Sequence, residues 1–184
     1  VYQDIDGDGI QDPGEPGIGG VIIEVVFTGP DGPVLITTTT NPDGSWSLPT
    51  VPPGDYVTTV VASSVPAGLV PSTPIDVSTV VPAGGEGVAN NGFVPAGSIG
   101  DTVYSDTNGN GVRDPGEPGV PGVSITVTGP NGTVVTVVTG ADGIYVVDNL
   151  APGTYVVRVD TNSLPPGVIV RVDPDGRPDG TTTV

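Results

Sequence analysis

Two stretches of this chain carry oxygen-bearing side chains at a spacing that could do chemistry. Residues 4–15 read DIDGDGIQDPGE, and residues 106–117 read DTNGNGVRDPGE. Both fit D-x-[DN]-x-[DN]-G-x₅-E, the pattern of an EF-hand calcium loop. In the first copy the ligands are Asp4, Asp6, Asp8 and Asp12, the Ile10 backbone carbonyl, and Glu15 in last place. Gly9 takes the sharp turn. The second copy supplies Asp106, Asn108, Asn110, the Val112 carbonyl, Asp114 and Glu117, with Gly111 at the turn. The spacing has a physical reason. Calcium takes roughly six to eight oxygens at about 2.3–2.6 Å, and a tight loop with oxygens on alternate residues aims them at one centre. Either loop alone could be an acidic, Gly-rich surface turn. Two copies at the same point of a repeat favour calcium.

The elements that position these loops are not helices. Pro13, Gly14, Pro16 and Gly17 crowd the end of the first loop, and a helix interior tolerates neither residue type. Upstream lie Val1-Tyr2 and Val103-Tyr104, which favour strand. The expectation is an EF-hand-like loop held between β-strands. It should not open a helix pair as a sensor does.

Composition fits that picture. Among 184 residues, 30 are Gly and 22 are Pro, a share at which disorder competes with folding. Val- and Thr-rich runs separated by sharp turn signals favour an all-β chain instead. Aromatic residues make up only 4%, so the core must be Val, Ile and Leu, and bound ions would add to a modest interior. Net charge is −17, with 21 acids against four arginines. That excludes a basic patch for nucleic acid and disfavours an anionic membrane surface. Divalent cations would relieve the self-repulsion. There is no Cys, hence no disulfide, and no apolar run long enough to insert into a membrane. No signal peptide is visible, and the chain opens inside a repeat, as a piece of something longer would.

The two loops are offset by 102 residues, while Asp43-Gly44 aligns with Asp142-Gly143, and Pro53-Gly54 with Pro152-Gly153, at 99. Two tandem domains follow, 1–97 and 98–184. In the first, the pattern predicts strands ending at 1–3 and over 20–28, 34–40, 45–48, 55–62, 75–81 and 88–94, with 65–71 a proline-bounded connection. In the second it predicts strands over 99–105, 122–128, 133–139, 144–148, 154–160 and 168–173, then an acidic turn over 173–180. The join at 94–98 is short and carries a Pro, so it should couple the domains stiffly. The first domain has no counterpart of 98–102, and the second none of 92–94. Either the piece is cut from a longer array, or neighbouring copies complete each other's sheets end to end in a fibre. Partners on this reading are calcium and neighbouring repeats of the same chain or identical subunits.

The run Ser98-Ile99-Gly100-Asp101-x-Val103-Tyr104-x-Asp106-x-Asn108-Gly109-Asn110-Gly111-x-x-Asp114-x-Gly116-Glu117 resembles the calcium-binding B-type repeats of serine-aspartate-repeat surface adhesins. Asp142-Gly143-x-Tyr145 and Leu150-x-Pro152-Gly153-x-Tyr155 resemble the wider prealbumin-like, collagen-adhesin B-type class. The resemblance implies two tandem Greek-key (Ig-like or prealbumin-like) β-sandwiches, several calcium ions per repeat, and a stalk that carries an adhesive head away from a cell wall. For further ions Asp101, Asp173 and Asp175 are candidates, set against a solvated acidic turn. Related modules often lock themselves with a Lys-to-Asn bond. This chain has no Lys, so that bond cannot form.

The chain also lacks His, Cys and Met. The commonest general base and the strongest nucleophiles are therefore missing, and the best carboxylates are already assigned to calcium. Trp46, Tyr56 and Tyr155 stand at hairpin positions that suit packing better than a sugar shelf. Asn131 opens a glycosylation sequon of a kind that also arises by chance, and the threonines at 37–40 suit an O-glycan site or a wet strand face. The expected role is mechanical and non-enzymatic: a calcium-stiffened spacer or fibre segment in extracellular, millimolar calcium. An adhesive ligand-binding domain is the alternative, with 59–87 the least repeated stretch.

Overall fold

The computed structural model describes residues 1–29, 31–130, 132–170 and 181–184. The sequon residue Asn131, Asp173, Asp175 and the acidic turn at 173–180 thus lie outside the described residues. The chain is all-β, with no α-helix among the described residues, and divides into two compact units, Val1–Ala96 and Gly97–Val184.

Unit 1 contains β1 (Tyr2–Gln3), β2 (Ile22–Gly29), β3 (Gly32–Thr39), β4 (Gly54–Val60), β5 (Leu69–Pro71), β6 (Asp76–Val81) and β7 (Gly92–Pro95). One antiparallel sheet runs β3-β2-β4-β6, and a smaller one β1-β7-β5, in which β1 and β7 are parallel. Unit 2 contains β8 (Gly97–Thr102), β9 (Ser124–Thr128), β10 (Val134–Val138), β11 (Ile144–Leu150), β12 (Val156–Val159) and β13 (Thr181–Thr183). Its sheets run β10-β9-β12-β13 and β11-β8.

Alternation builds the core. Ile23 and Val25 of β2 turn inward, as Ile125 and Val127 do on β9, while Glu24 and Val26 face the other way. In unit 1 these meet Val1, Tyr56, Val60 and Phe93, so the interior draws on both sheets. In unit 2 the corresponding cluster holds Val120, Val123, Val147, Tyr155 and Val157. The Tyr56 and Tyr155 rings pack against these cores, and their hydroxyls donate to the Pro52 and Ala151 carbonyls at 2.6 and 2.7 Å. A phenol buried this way satisfies its polar end locally. Thr40 and Thr139 do the same for the backbone beside each loop. Thr40 Oγ1 accepts from Val21 N–H and donates to the Ile18 carbonyl, and Thr139 repeats this with Val123 and Val120. Stranding either buried partner would cost about 1–3 kcal/mol.

Three stretches differ from the sequence expectation, each because strand pairing is not local. Residues 45–48 form no strand in unit 1, although their counterpart β11 does in unit 2. β11 owes its ladder to β8, and among the described residues no strand stands in that place beside 45–48. Conversely, 65–71 is not only a connection. Leu69–Pro71 becomes an edge strand because β7 runs beside it, and Pro71 is tolerated on an edge. Residues 168–170, the counterpart of β5, carry no strand. β12 pairs with β9 on one side and with β13 on the other, and β13 is a strand the sequence pattern did not reveal.

Candidate metal centres

Each acidic loop leaves a strand-like Tyr and returns to bridge it. Tyr2 pairs with Gly17, and Tyr104 with Gly119. The base is clamped by Gln3 N–H to the Pro16 carbonyl (2.8 Å) and by Ser105 N–H to the Pro118 carbonyl (2.9 Å).

Inside loop one, the first-position carboxylate organises the turn. Gly7 N–H donates to Asp4 Oδ1 at 2.7 Å and Gly9 N–H to Asp4 Oδ2 at 3.0 Å. Asp6 and Asp8 each accept from the amide two residues on, at 3.2 and 2.7 Å. Glu15 reaches back across the loop, accepting from Ile5 N–H on Oε1 (2.6 Å) and from Asp12 N–H on Oε2 (3.1 Å). Oxygens of Asp4, Asp6 and Asp8 lie within 4.8 Å of one another. Asp4 is fully buried, while Asp6, Asp8 and Asp12 are exposed.

Loop two repeats the cradle. Gly109 and Gly111 N–H groups donate to the two Asp106 oxygens at 2.6 and 2.9 Å. Asn108 and Asn110 accept from Asn110 N–H and Val112 N–H. Thr107 and Asp114 N–H groups donate to the two Glu117 oxygens at 2.7 and 3.0 Å. The difference lies in the middle. Both Asn side-chain amides donate to Asp114 Oδ2 at 2.7 Å. Loop two therefore satisfies part of its negative charge internally, where loop one sets carboxylates against one another.

The pKa shifts follow this contrast. Burial alone would raise the Asp4 carboxyl, but the Ser72 hydroxyl and the amides of Gly9, Gly7 and Asp8 outweigh it and hold it below the ordinary aspartate range. The Asp114 amide holds Glu117 low against partial desolvation, helped by Thr107. Asp12 goes the other way. Desolvation and the neighbouring Asp8, Asp6, Glu15 and Asp4 carboxylates raise it. Such a donor set, all oxygen and mostly anionic, is the kind that holds a hard dication rather than a thiophilic metal.

The sequence itself places this arrangement among known proteins. The SdrD B-like domain family matches residues 1–79 and again 97–181. The chain belongs to that family. Serine-aspartate repeat-containing protein D of Staphylococcus aureus (strain Newman) is 35% identical over 175 residues, covering 88% of this chain and 13% of the relative. Serine-aspartate repeat-containing protein F of Staphylococcus epidermidis is 32% identical over 177 residues, or 89% of this chain and 10% of that protein. The chain thus spans only a small part of these relatives. Among solved structures, the minor pilin GBS52 of Streptococcus agalactiae aligns over 100% of this chain and 86% of its own, with 16% identity and a TM-score of 0.44.

In this SdrD B-like pair, the structure keeps Asp101 outside the second loop. It lies on β8 opposite Tyr145, exposed, and its carboxylate accepts its neighbour Thr102 N–H. The pattern also gave no sign of the floor beneath loop one. The Tyr2 hydroxyl and Ser72 Oγ are buried there without a well-formed hydrogen bond. Both crowd Gly92, where a Cβ would stand 2.8 Å from the Tyr2 hydroxyl and 2.7 Å from Ser72 Oγ. Only the folded proximity of 2, 72 and 92 creates this floor, so no local motif could have announced it.

The raised Asp12 yields a test with opposite signs in two buffers. A carboxyl whose folded pKa is raised costs the folded state stability above that pKa, and the cost fades as pH falls through it. Asp12→Asn should therefore raise the melting temperature of unit 1 in chelator at neutral pH. If loop one takes a divalent cation, the same substitution removes a ligand and should weaken that binding by about tenfold. Melts with and without chelator check both signs.

Proposed function

We propose that the chain is a pair of calcium-binding, Greek-key β-sandwich repeats, 1–97 and 98–184, that serve as a stiffened stalk or spacer of an extracellular surface protein. The observation that carries this reading is the duplicated cradle. Two loops with different central residues build the same hydrogen-bond scaffold at the same place in each unit. Asp4, Asp6, Asp8, Asp12, Glu15 and the Ile10 carbonyl would hold one ion. Asp106, Asn108, Asn110, Asp114, Glu117 and the Val112 carbonyl would hold the other. Bound calcium supplies positive charge at the centre of each loop. The chain's own residues do the rest. Their amides orient the first and last carboxylates, and the Tyr–Gly bridges tie the loop ends to a strand. A filled loop thus cross-links the start of each unit to its body.

Membership in a family with serine-aspartate repeat-containing proteins supports a repeat-bearing architecture. The lack of His, Cys and Lys supports a non-enzymatic role. Among the described residues no helix is long and apolar enough to cross a membrane. Millimolar extracellular calcium would keep loops of this kind filled.

Single-molecule stretching of the chain tests the role directly. At fixed force, chelation should speed unfolding about tenfold or more, within the roughly hundredfold change in folding equilibrium that a ligand at 100 times its Kd supplies. Unfolding rates indifferent to chelator would end the stalk reading.

A further inference from the structure

Four asparagines of this chain stand directly before a glycine, and two of them lie together in loop two as Asn108-Gly109-Asn110-Gly111. Loop one has Asp6-Gly7-Asp8-Gly9 at the same positions. An Asn-Gly step has a chemistry of its own. Once hydroxide has taken its proton, the glycine nitrogen can attack the carbonyl carbon of the Asn side chain, and glycine has no Cβ to obstruct the approach. The side-chain nitrogen takes up a proton and leaves as ammonia, and a five-membered succinimide remains. Water then opens the ring at either carbonyl. One opening gives Asp, the other isoaspartate. One water enters and one ammonia leaves, with no oxidant or cofactor.

The folded loop presents both asparagines and also restrains them. Asn108 and Asn110 are exposed, so water and hydroxide reach their side chains. The two attacking nitrogens are tied down by a single residue. Gly109 N–H donates to Asp106 Oδ1 at 2.6 Å, and Gly111 N–H to Asp106 Oδ2 at 2.9 Å. A hydrogen bond to a carboxylate keeps the proton on the nitrogen and turns the amide toward the acceptor. The asparagine Oδ1 atoms are held as well, accepting from Asn110 N–H at 3.0 Å and Val112 N–H at 2.8 Å. Asn91-Gly92 is the contrasting case. Asn91 is 1% exposed. Its Nδ2 donates to the Pro74 carbonyl at 2.8 Å, and Gly92 N–H donates to Thr73 Oγ1 at 2.8 Å.

We propose that Asn108 and Asn110 are sites of spontaneous deamidation, and that the Asp106 carboxylate sets their rate by holding both attacking amides. The product changes the loop. Opening to Asp replaces the two amides that donate to Asp114 Oδ2 with carboxylates. Loop two then carries the acidic residues of loop one at these positions, with one more negative charge at each. Opening to isoaspartate inserts a methylene into the backbone and breaks the alternate-residue spacing of the ligands. An aged chain is therefore a mixture at loop two, while loop one has no amide at these positions to lose. The proposal goes beyond the stalk reading, because the restraint is Asp106 whether or not a cation fills the loop.

The test incubates the full chain in chelator at mildly alkaline pH and follows each asparagine by peptide mapping and mass spectrometry. Asn108 and Asn110 should convert, while Asn91 stays intact over the same period. Asp106→Ala should speed conversion at both positions by about tenfold, the order expected when a charge-assisted hydrogen bond no longer has to open first. Asp106→Asn keeps one accepting oxygen and the shape of the side chain, so its rates should fall between those of the parent and Asp106→Ala. Should Asp106→Ala fail to fold, the Asp106→Asn chain alone must still convert faster than the parent. Absence of conversion at 108 and 110, conversion of Asn91 at the same rate, or parental rates in both Asp106 variants would overturn the proposal.

Discussion

On the calcium reading proposed above, chelation should lower the melting temperature of each unit by about 10–20 °C. An ion held at 100 times its Kd adds about 2.7 kcal/mol to folding stability. For a domain of roughly 60–100 residues, 1 kcal/mol moves the midpoint by about 4–8 °C. The drop should be larger in unit 1. Its loop sets Asp4, Asp6, Asp8, Asp12 and Glu15 together, whereas Asn108 and Asn110 hand their amide protons to Asp114 in loop two. Calorimetry with and without chelator reads both transitions. Added salt should recover part of the loss in chelator, because screening weakens exposed like-charge repulsion.

Gly119→Ala should abolish cooperative melting of unit 2 at temperatures where unit 1 remains folded. A Cβ on Gly119 would fall on the carbonyl group of Asp142, and one on Gly17 would fall on that of Asp43. The obstructing atoms are backbone on a tight turn, so no rotamer change can clear them. Overpacking of a side-chain core costs about 1–3 kcal/mol, and a backbone collision should exceed that range. Gly143, on the other side of the same contact, adopts φ +78°, and a Cβ added there would fall on the Val103 carbonyl oxygen. Alanine there meets both steric and conformational penalties. Circular dichroism melts of Gly17→Ala and Gly119→Ala, each expected to lose one unit, check this directly. A full two-unit melt from either variant would contradict the packing described.

The legible parts of the fold were those written locally. Val–Thr alternation bounded by Asp-Gly and Pro-Gly turns located β2, β3, β4, β9 and β10. The D-x-[DN]-x-[DN]-G spacing marked both loops as oxygen-rich turns, but not the backbone amides that Asp4, Asp106, Glu15 and Glu117 accept within them. What could not be read depends on contacts between distant residues. Ser45-Trp46 looks like a strand and lacks only a neighbour, while Leu69-Val70-Pro71 looks like a connection and gains one in β7. The hydroxyls of Tyr2 and Ser72 meet over Gly92 only after three segments have folded together. The Asn-to-Asp114 hydrogen bonds, which set the two loops apart, also lie beyond a ligand pattern that treats Asp and Asn as equivalent.

The most direct measurement is a calorimetric calcium titration of the chain beside its Glu15→Gln and Glu117→Gln variants. Saturable binding is expected at both loops, tighter at the first, with Glu15→Gln removing the tighter phase and Glu117→Gln the weaker one. Absence of saturable binding, or titrations that neither substitution alters, would contradict the claim that metal ligation stiffens these repeats.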